Sequence, residues 1–131
     1  MKCDAEKPWD IRERSFAYAL RAIKLYQALE KRKGGAGVII GRQFLRSATS
    51  IGANIQEAQS GESRADFIHK YAIAQKEAKE SLYWLRLLAQ SGIVPGNRLA
   101  SITKETEEVY AVITAIIVHA KAKKPQFKAA A

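Results

Sequence analysis

The chain of 131 residues has one cysteine, Cys3, which excludes an intrachain disulfide and a thiolate cage for a metal. Long apolar runs are missing too. The most apolar stretch, Ala111 to Val118, is interrupted by Thr114 and falls well short of the roughly 20 residues of a membrane span. The opening "MKCDAEKPWD" has no apolar segment of secretory-signal length, so the sequence predicts neither export nor a membrane partner, and a reducing cytoplasm fits. No segment alternates like a strand or closes like a hairpin.

Acidic residues are in deficit, at 13 Asp and Glu against 22 Lys and Arg, for a net charge of +9. An excess of that size in a small chain draws polyanions over long range, and nucleic acid leads the partner classes it suggests. With 47% hydrophobic and 27% charged residues, the remainder is that of one globular domain with disorder confined to the ends.

Constellations for catalysis are also lacking. "GVIIG", Gly37 to Gly41, leads into Arg42-Gln43 rather than the Lys-Ser/Thr of a phosphate loop, and close packing or a helix start explains it better. Asp66 and His69 have the spacing of a bundle metal pair, yet they fall about 100° and 160° from the centre of their helix's apolar face, with no second pair to complete a site. No Cys-His or Ser-His-Asp arrangement is identifiable, so the expectation is no metal, no cofactor and no enzyme activity.

What is present reads as four helices. The first begins at Asp10, with Glu13 as its capping-box partner, and runs to about Lys33, where Gly34, Gly35 and Gly37 break it. Lys31, Arg32 and Lys33 suit the negative end of its dipole. The second spans about Val38 to Gln59. The third starts after Ser63, with Asp66 in its first turn, and ends near Ser91 and Gly92; Pro95 opens the fourth and Pro125 closes it. Expected boundaries are an extension over 1–9, a helical unit over 10–124 and a tail over 125–131.

In the fourth helix Leu99, Ile102, Thr106, Val109, Ile113, Ile116 and Ala120 follow a heptad rhythm. The third shows Phe67, Tyr71, Ala74, Ala78, Leu82, Leu85 and Ala89 on one face. The first has too much apolar surface: Phe16, Leu20 and Ile23 on one side, Tyr18, Ala22, Leu25 and Leu29 on another, an arc of roughly 220°. Short connections predict an all-α, antiparallel up-down-up-down four-helix bundle, and the surplus face predicts self-association unless Trp9 and its neighbours fold back over it.

The stretch "RSATSIGANIQEA", Arg46 to Ala58, raises a sharper question. Phe44, Ala48, Ile51, Ile55 and Ala58 share an arc of about 80°, and Arg46, Ser50, Asn54 and Glu57 form a second row beside it. A row flanking the core is where a neighbouring helix or subunit packs; opposite charges at Arg46 and Glu57 and the hydrogen-bonding groups of Ser50 and Asn54 would set its register. With "ADF" at Ala65 to Phe67, this stretch resembles the signature of the bacterial four-helix-bundle proteins encoded in intervening sequences of large-subunit ribosomal RNA genes. The resemblance covers about Phe16 to Lys121. It departs at Lys76 and Glu77, where the family places a Gly-Ser pair, while Glu80 matches the acidic position that follows.

The resemblance implies a ring-like homopentamer similar in fold to the accessory protein of diversity-generating retroelements, which is basic, binds nucleic acid and partners a reverse transcriptase. For a polyanion such as RNA, or RNA and DNA together, the expected contacts are one end carrying Lys31, Arg32, Lys33, Arg42, Arg86 and Arg98, with Glu30 the one nearby acid. The opposite end holds His119, Lys121, Lys123, Lys124 and Lys128 with Arg12, Arg14 and Arg64, where Asp10, Glu13, Glu62 and Asp66 partly offset the charge. Tyr26, Tyr71 and Tyr110 read as core or interface residues. No helix-turn-helix, RNP-type motif or zinc finger is present, so binding is expected to be salt-sensitive and tolerant of sequence. The competing expectation is an interaction scaffold whose charge serves an acidic protein.

Overall fold

The computed structural model describes residues 10–61 and 63–123; Cys3, Trp9, Glu62 and the tail from Lys124 lie outside that set. The described residues form four α-helices and no strand: α1 (Ile11–Glu30), α2 (Gly35–Ala58), α3 (Arg64–Gln90) and α4 (Gly96–Ala122). Local chemistry sets the starts of α1 and α3. The Asp10 carboxylate accepts the Glu13 backbone N–H at 3.5 Å, and Ser63 Oγ accepts that of Asp66 at 3.1 Å, each satisfying a donor that has no partner inside its helix.

Two boundaries differ from the sequence reading. Gly34 alone breaks the chain between α1 and α2, at φ +108°, while Gly35 and Gly37 are already helical. The α1 helix ends at Glu30, so Lys31 is its cap and Arg32 and Lys33 belong to the turn rather than to the last helical turn. One residue with left-handed backbone is enough to reverse the chain, and Gly37 and Gly41 after it serve packing. A Cβ on Gly37 would sit 3.2 Å from Ile93 Cγ2, and one on Gly41 2.6 Å from Leu29 Cδ1.

Around the bundle, α1 packs on α2 and α4, and α3 packs on the same two; among the described residues α1 and α3 lie across a diagonal, with no close backbone approach. Cross-helix partners fix the alignment. Arg46 meets Glu80 while Glu57 meets Lys70, so residue numbers fall along α3 as they rise along α2. Gln75 donates to Thr114 Oγ1 at 2.9 Å, and Lys79 lies over the Tyr110 ring at 5.0 Å, with the same opposed order between α3 and α4.

The core is built from Tyr18, Ala22 and Leu29 of α1, Phe44, Ala48, Ile51 and Ile55 of α2, and the inward faces of α3 and α4. Ile117, rather than Ile116, continues the α4 stripe after Ile113, and on α3 Ser81 and Leu88 are buried where Leu82 and Ala89 are only half-buried. A straight helix drifts about 20° per heptad from a strict seven-residue repeat, which carries the buried position forward by one residue over a few turns.

Polar groups cross the middle of this core. Tyr18, Ser47, Ser81 and Thr106, one from each helix, are all buried. Tyr18 and Thr106 share a hydrogen bond of 2.6 Å, Ser47 and Ser81 one of 2.8 Å, and Ser81 also acts on the Tyr18 hydroxyl. Spare hydroxyl protons go to backbone: Thr106 donates to the Ile102 carbonyl and Ser81 to that of Glu77. Every hydroxyl in the belt is therefore satisfied, the condition under which a buried polar layer specifies alignment without a large cost.

Candidate nucleic-acid interface

The row beside the α2 core faces α3. Arg46 binds the Glu80 carboxylate and stands 3.6 Å from Glu77, and Glu57 accepts from Lys70 at 2.8 Å. Arg46 and Glu57 thus each meet a charge on the neighbouring helix rather than each other. The Asn54 amide donates to the Ser50 carbonyl of its own helix at 2.8 Å, leaving the Ser50 hydroxyl out of that bond. Trp84 Nε1 donates to the same Glu80 carboxylate at 3.0 Å. The hydrogen bond from Lys70 to Glu57 holds the Lys70 ammonium above its usual pKa, as a bonded carboxylate must.

Acidic residues on α4 are held in a comparable way. Arg14 donates to both oxygens of Glu105, at 2.8 and 3.0 Å, and also binds Glu108. The bonds to Glu105 are the largest influence raising the Arg14 pKa, ahead of the opposing effect of burial. Arg14 and Arg46 therefore gather four of the carboxylates on α3 and α4 onto the seams between helices.

The two ends of the molecule differ in how their helices begin. At one, α1 and α3 start with the side-chain caps Asp10 and Ser63 and carry Glu13 and Asp66 in their first turns. At the other, α2 and α4 start at Gly34 and Pro95, with no side-chain cap bond and no acid in the first turn. That uncapped end is one surface. Arg32 Nη1 donates to the Ile93 carbonyl at 2.5 Å, tying the α1–α2 turn to the α3–α4 turn, and a cavity of about 260 Å³ opens between them against Arg32, Lys33, Gly34 and Ile93. Lys31, Arg32, Lys33, Arg42 and Arg98 are all exposed, as is Glu30.

Arg86 is exposed as well, but it borders a groove between α3 and α4 with Leu85, Leu99 and Lys104. Lys121 and Lys123 are exposed at the far end of α4, beside Arg64, whose Nη1 donates to the Ala120 carbonyl at 3.3 Å; Lys124 is outside the described residues. Tyr71 is buried, and Tyr26 and Tyr110 are half-buried. Tyr83 and its neighbour Trp84 escaped the sequence reading. Tyr83 is 55% exposed on α3 and sits between Lys79 and Arg86 on its outer side. Its signal was its place opposite the apolar face, at helical spacing from Lys76, Lys79 and Arg86.

The surplus apolar face of α1 is open among the described residues: Phe16, Leu20 and Ile23 are 66%, 48% and 39% exposed. Asp66 and His69 are both exposed. No helix among the described residues is long and apolar enough to cross a membrane.

Comparison with known proteins sets this arrangement in a family. No curated protein matches the chain. A solved structure from Bacteroides thetaiotaomicron VPI-5482, a protein of unknown function from the S23 ribosomal protein family, is 39% identical, with a TM-score of 0.76 over 82% of this chain and 97% of that one. The family model for the 23S rRNA-intervening sequence protein matches residues 7–115, most of the length and all of α1 to α3. The chain belongs to the 23S rRNA-intervening sequence protein family.

Proposed function

We propose that this protein is a noncatalytic, RNA-binding homo-oligomer whose protomer is an antiparallel up-down-up-down bundle. The observation that carries the reading is the asymmetry of the ends. Two helices begin without side-chain caps at one end, which also carries the exposed Lys31, Arg32, Lys33, Arg42 and Arg98. Uncapped helix starts and guanidinium groups both bind phosphate, and such contacts carry no base-sequence information.

The open α1 stripe supports self-association, since monomers seldom leave a contiguous apolar face in water. Repeating the basic end around a closed ring turns weak phosphate contacts into one multivalent surface. A ring of five, kinship with the accessory protein of diversity-generating retroelements, and a reverse transcriptase as partner are the finer form of this proposal, and they rest on the resemblance of the α2 signature.

Electrophoretic mobility shift of a structured RNA across a salt series tests the proposal. The expected result is a shift that weakens steeply with salt, and a shallower salt slope for Lys33→Glu and Arg98→Glu. Failure of the wild-type protein to retain RNA in low salt, with capture of an acidic protein instead, would favour the scaffold reading.

A further inference from the structure

The outer face of α3 carries Lys76, Lys79, Tyr83 and Arg86, all exposed and all within an arc of about 80° on a helix turning 100° per residue. From Lys76 to Arg86 the row is about 15 Å long at the rise of an α-helix. Beside it the groove between α3 and α4, about 680 Å³ in volume, has an apolar floor of Leu82, Leu85, Ala89 and Leu99, with Arg86 and Lys104 among its walls. It reaches Gly96, the first residue of α4, and so opens onto the uncapped end.

Two features separate this face from an ordinary solvated helix side. Its neighbouring carboxylates are held elsewhere: Glu77 and Glu80 by Arg46 on the α2 seam, Glu105 and Glu108 by Arg14 on the α1 seam. Glu107 is the one carboxylate lining the groove. The exposed tyrosine is also braced. Its ring meets Trp84 edge-on, 5.0 Å between centroids at 70°, and the Trp84 indole is anchored to the Glu80 carboxylate that binds Arg46. An aromatic ring supported from behind and flanked by cations is the arrangement on which an unpaired base stacks while its backbone phosphates find positive charge.

We propose that the α3 face and its groove hold a single-stranded segment of nucleic acid, with a base stacked on Tyr83 and phosphates on Lys76, Lys79, Arg86 and Lys104. The proposal rests on the RNA-binding reading and narrows it, since a duplex keeps its bases stacked inside and offers nothing to Tyr83. Because α1 and α3 occupy opposite corners, the α1 stripe and the α3 face are separate surfaces of the protomer.

Fluorescence anisotropy with a labelled oligouridylate, and with an RNA duplex of equal length, tests it on the full chain. Tyr83→Ala is expected to weaken oligouridylate binding about tenfold, the loss of one base stack, while leaving duplex binding and the salt slope unchanged. Tyr83→Trp retains the affinity. Arg86→Gln and Lys104→Gln each lower the salt slope by about 0.7, the value for one single-strand phosphate contact. Tyr83 is exposed, so circular dichroism and oligomer size should match the wild type. Unchanged oligouridylate binding by Tyr83→Ala, in a wild-type protein that binds it, overturns the α3 proposal alone. If the wild type binds neither probe, both the proposal and the RNA reading fall.

Discussion

The Tyr18 hydroxyl is the donor in its 2.6 Å hydrogen bond with Thr106, because the Thr106 proton is committed to the Ile102 carbonyl. This joins α1 to α4, the pair of neighbouring helices with the least mutual contact, at a point where both side chains are fully buried. A bundle held only by apolar stripes tolerates small rotations and slips of one helix on the next. A satisfied hydroxyl pair tolerates few, since a shift strands two polar atoms in the core.

Tyr18→Phe should therefore cost about 1 kcal/mol, the net worth of a neutral hydrogen bond, because Thr106 keeps its bond to backbone and only an acceptor site is left empty. Thr106→Val removes the partner while leaving the Tyr18 hydroxyl buried, and should cost more. Urea denaturation of the two variants gives the order; equal midpoints for both and for the wild type would contradict the role of the belt.

The same burial sets an alkaline limit on stability. It pushes the Tyr18 hydroxyl up to about 12, against the opposing effect of its hydrogen bonding with Thr106 and Ser81. Between pH 10 and 12 an unfolded tyrosine has lost its proton and the folded one retains it, so unfolding releases a proton and stability falls as pH rises, by up to about 1.4 kcal/mol per pH unit from this group. The contribution is complete below pH 10. Tyr71, raised by burial in the same direction, adds to the fall. Urea midpoints over this range should drop less steeply in Tyr18→Phe than in the wild type.

Glu77 departs from the resembled family pattern, and the structure gives it a counterion. Its Oε1 is buried without a hydrogen-bond partner and has the Arg46 guanidinium at 3.6 Å. Arg46→Ala should destabilise the fold by about 1–2 kcal/mol, less from the loss of a half-exposed ion pair than from leaving that carboxylate oxygen uncompensated. Adding Glu77→Ala should recover part of the loss. A double variant destabilised by the full sum of the two singles would show that the pair is not coupled in this way.

The helices were legible in the sequence because their signals are local: Asp10, Ser63, Pro95 and an i, i+3, i+4 apolar rhythm each act within a turn or two. The unusual row on α2 was visible too, but its partners were not. Pairing Arg46 with Glu80 and Glu57 with Lys70 depends on how far α3 slides along α2, and that distance is set by the core as a whole. The Ile116 to Ile117 change has the same origin, since position within a turn is local and accumulated drift is not. Tyr83 was passed over because an exposed aromatic gains meaning only when the carboxylates around it are seen to be engaged elsewhere.

Glycines in this chain should respond to substitution in opposite ways. At Gly41 an added Cβ would press on Leu29 Cδ1 at 2.6 Å, and Leu29 is itself buried, so relief requires moving a core side chain. Gly41→Ala should lose about 1–3 kcal/mol to overpacking, outweighing its gain in helix propensity. Gly35 and Gly96 have open space where a Cβ would go and negative φ, so Gly35→Ala and Gly96→Ala should raise stability by about 0.4–1 kcal/mol through the unfolded chain. Thermal melts of the three variants give the comparison, and a stabilised Gly41→Ala would refute close packing of α1 on α2.

Self-association should depend on the α1 stripe and leave the protomer fold largely untouched. Phe16, Leu20 and Ile23 contribute little to the core, where Tyr18, Ala22 and Leu29 carry the packing of α1. Leu20 is 48% exposed, so Leu20→Asp places a charge in water for the lone protomer and inside an apolar contact for the assembly. A buried, unpaired carboxylate is costly enough to dissolve an interface of ordinary size. Sedimentation equilibrium should find a wild-type oligomer and a monomeric Leu20→Asp with the same helical circular dichroism. The monomer should still bind RNA, but with the lower affinity and shallower salt dependence of a single basic end, because the contacts multiplied by the assembly are no longer linked. An unchanged oligomer in Leu20→Asp would move the interface off α1.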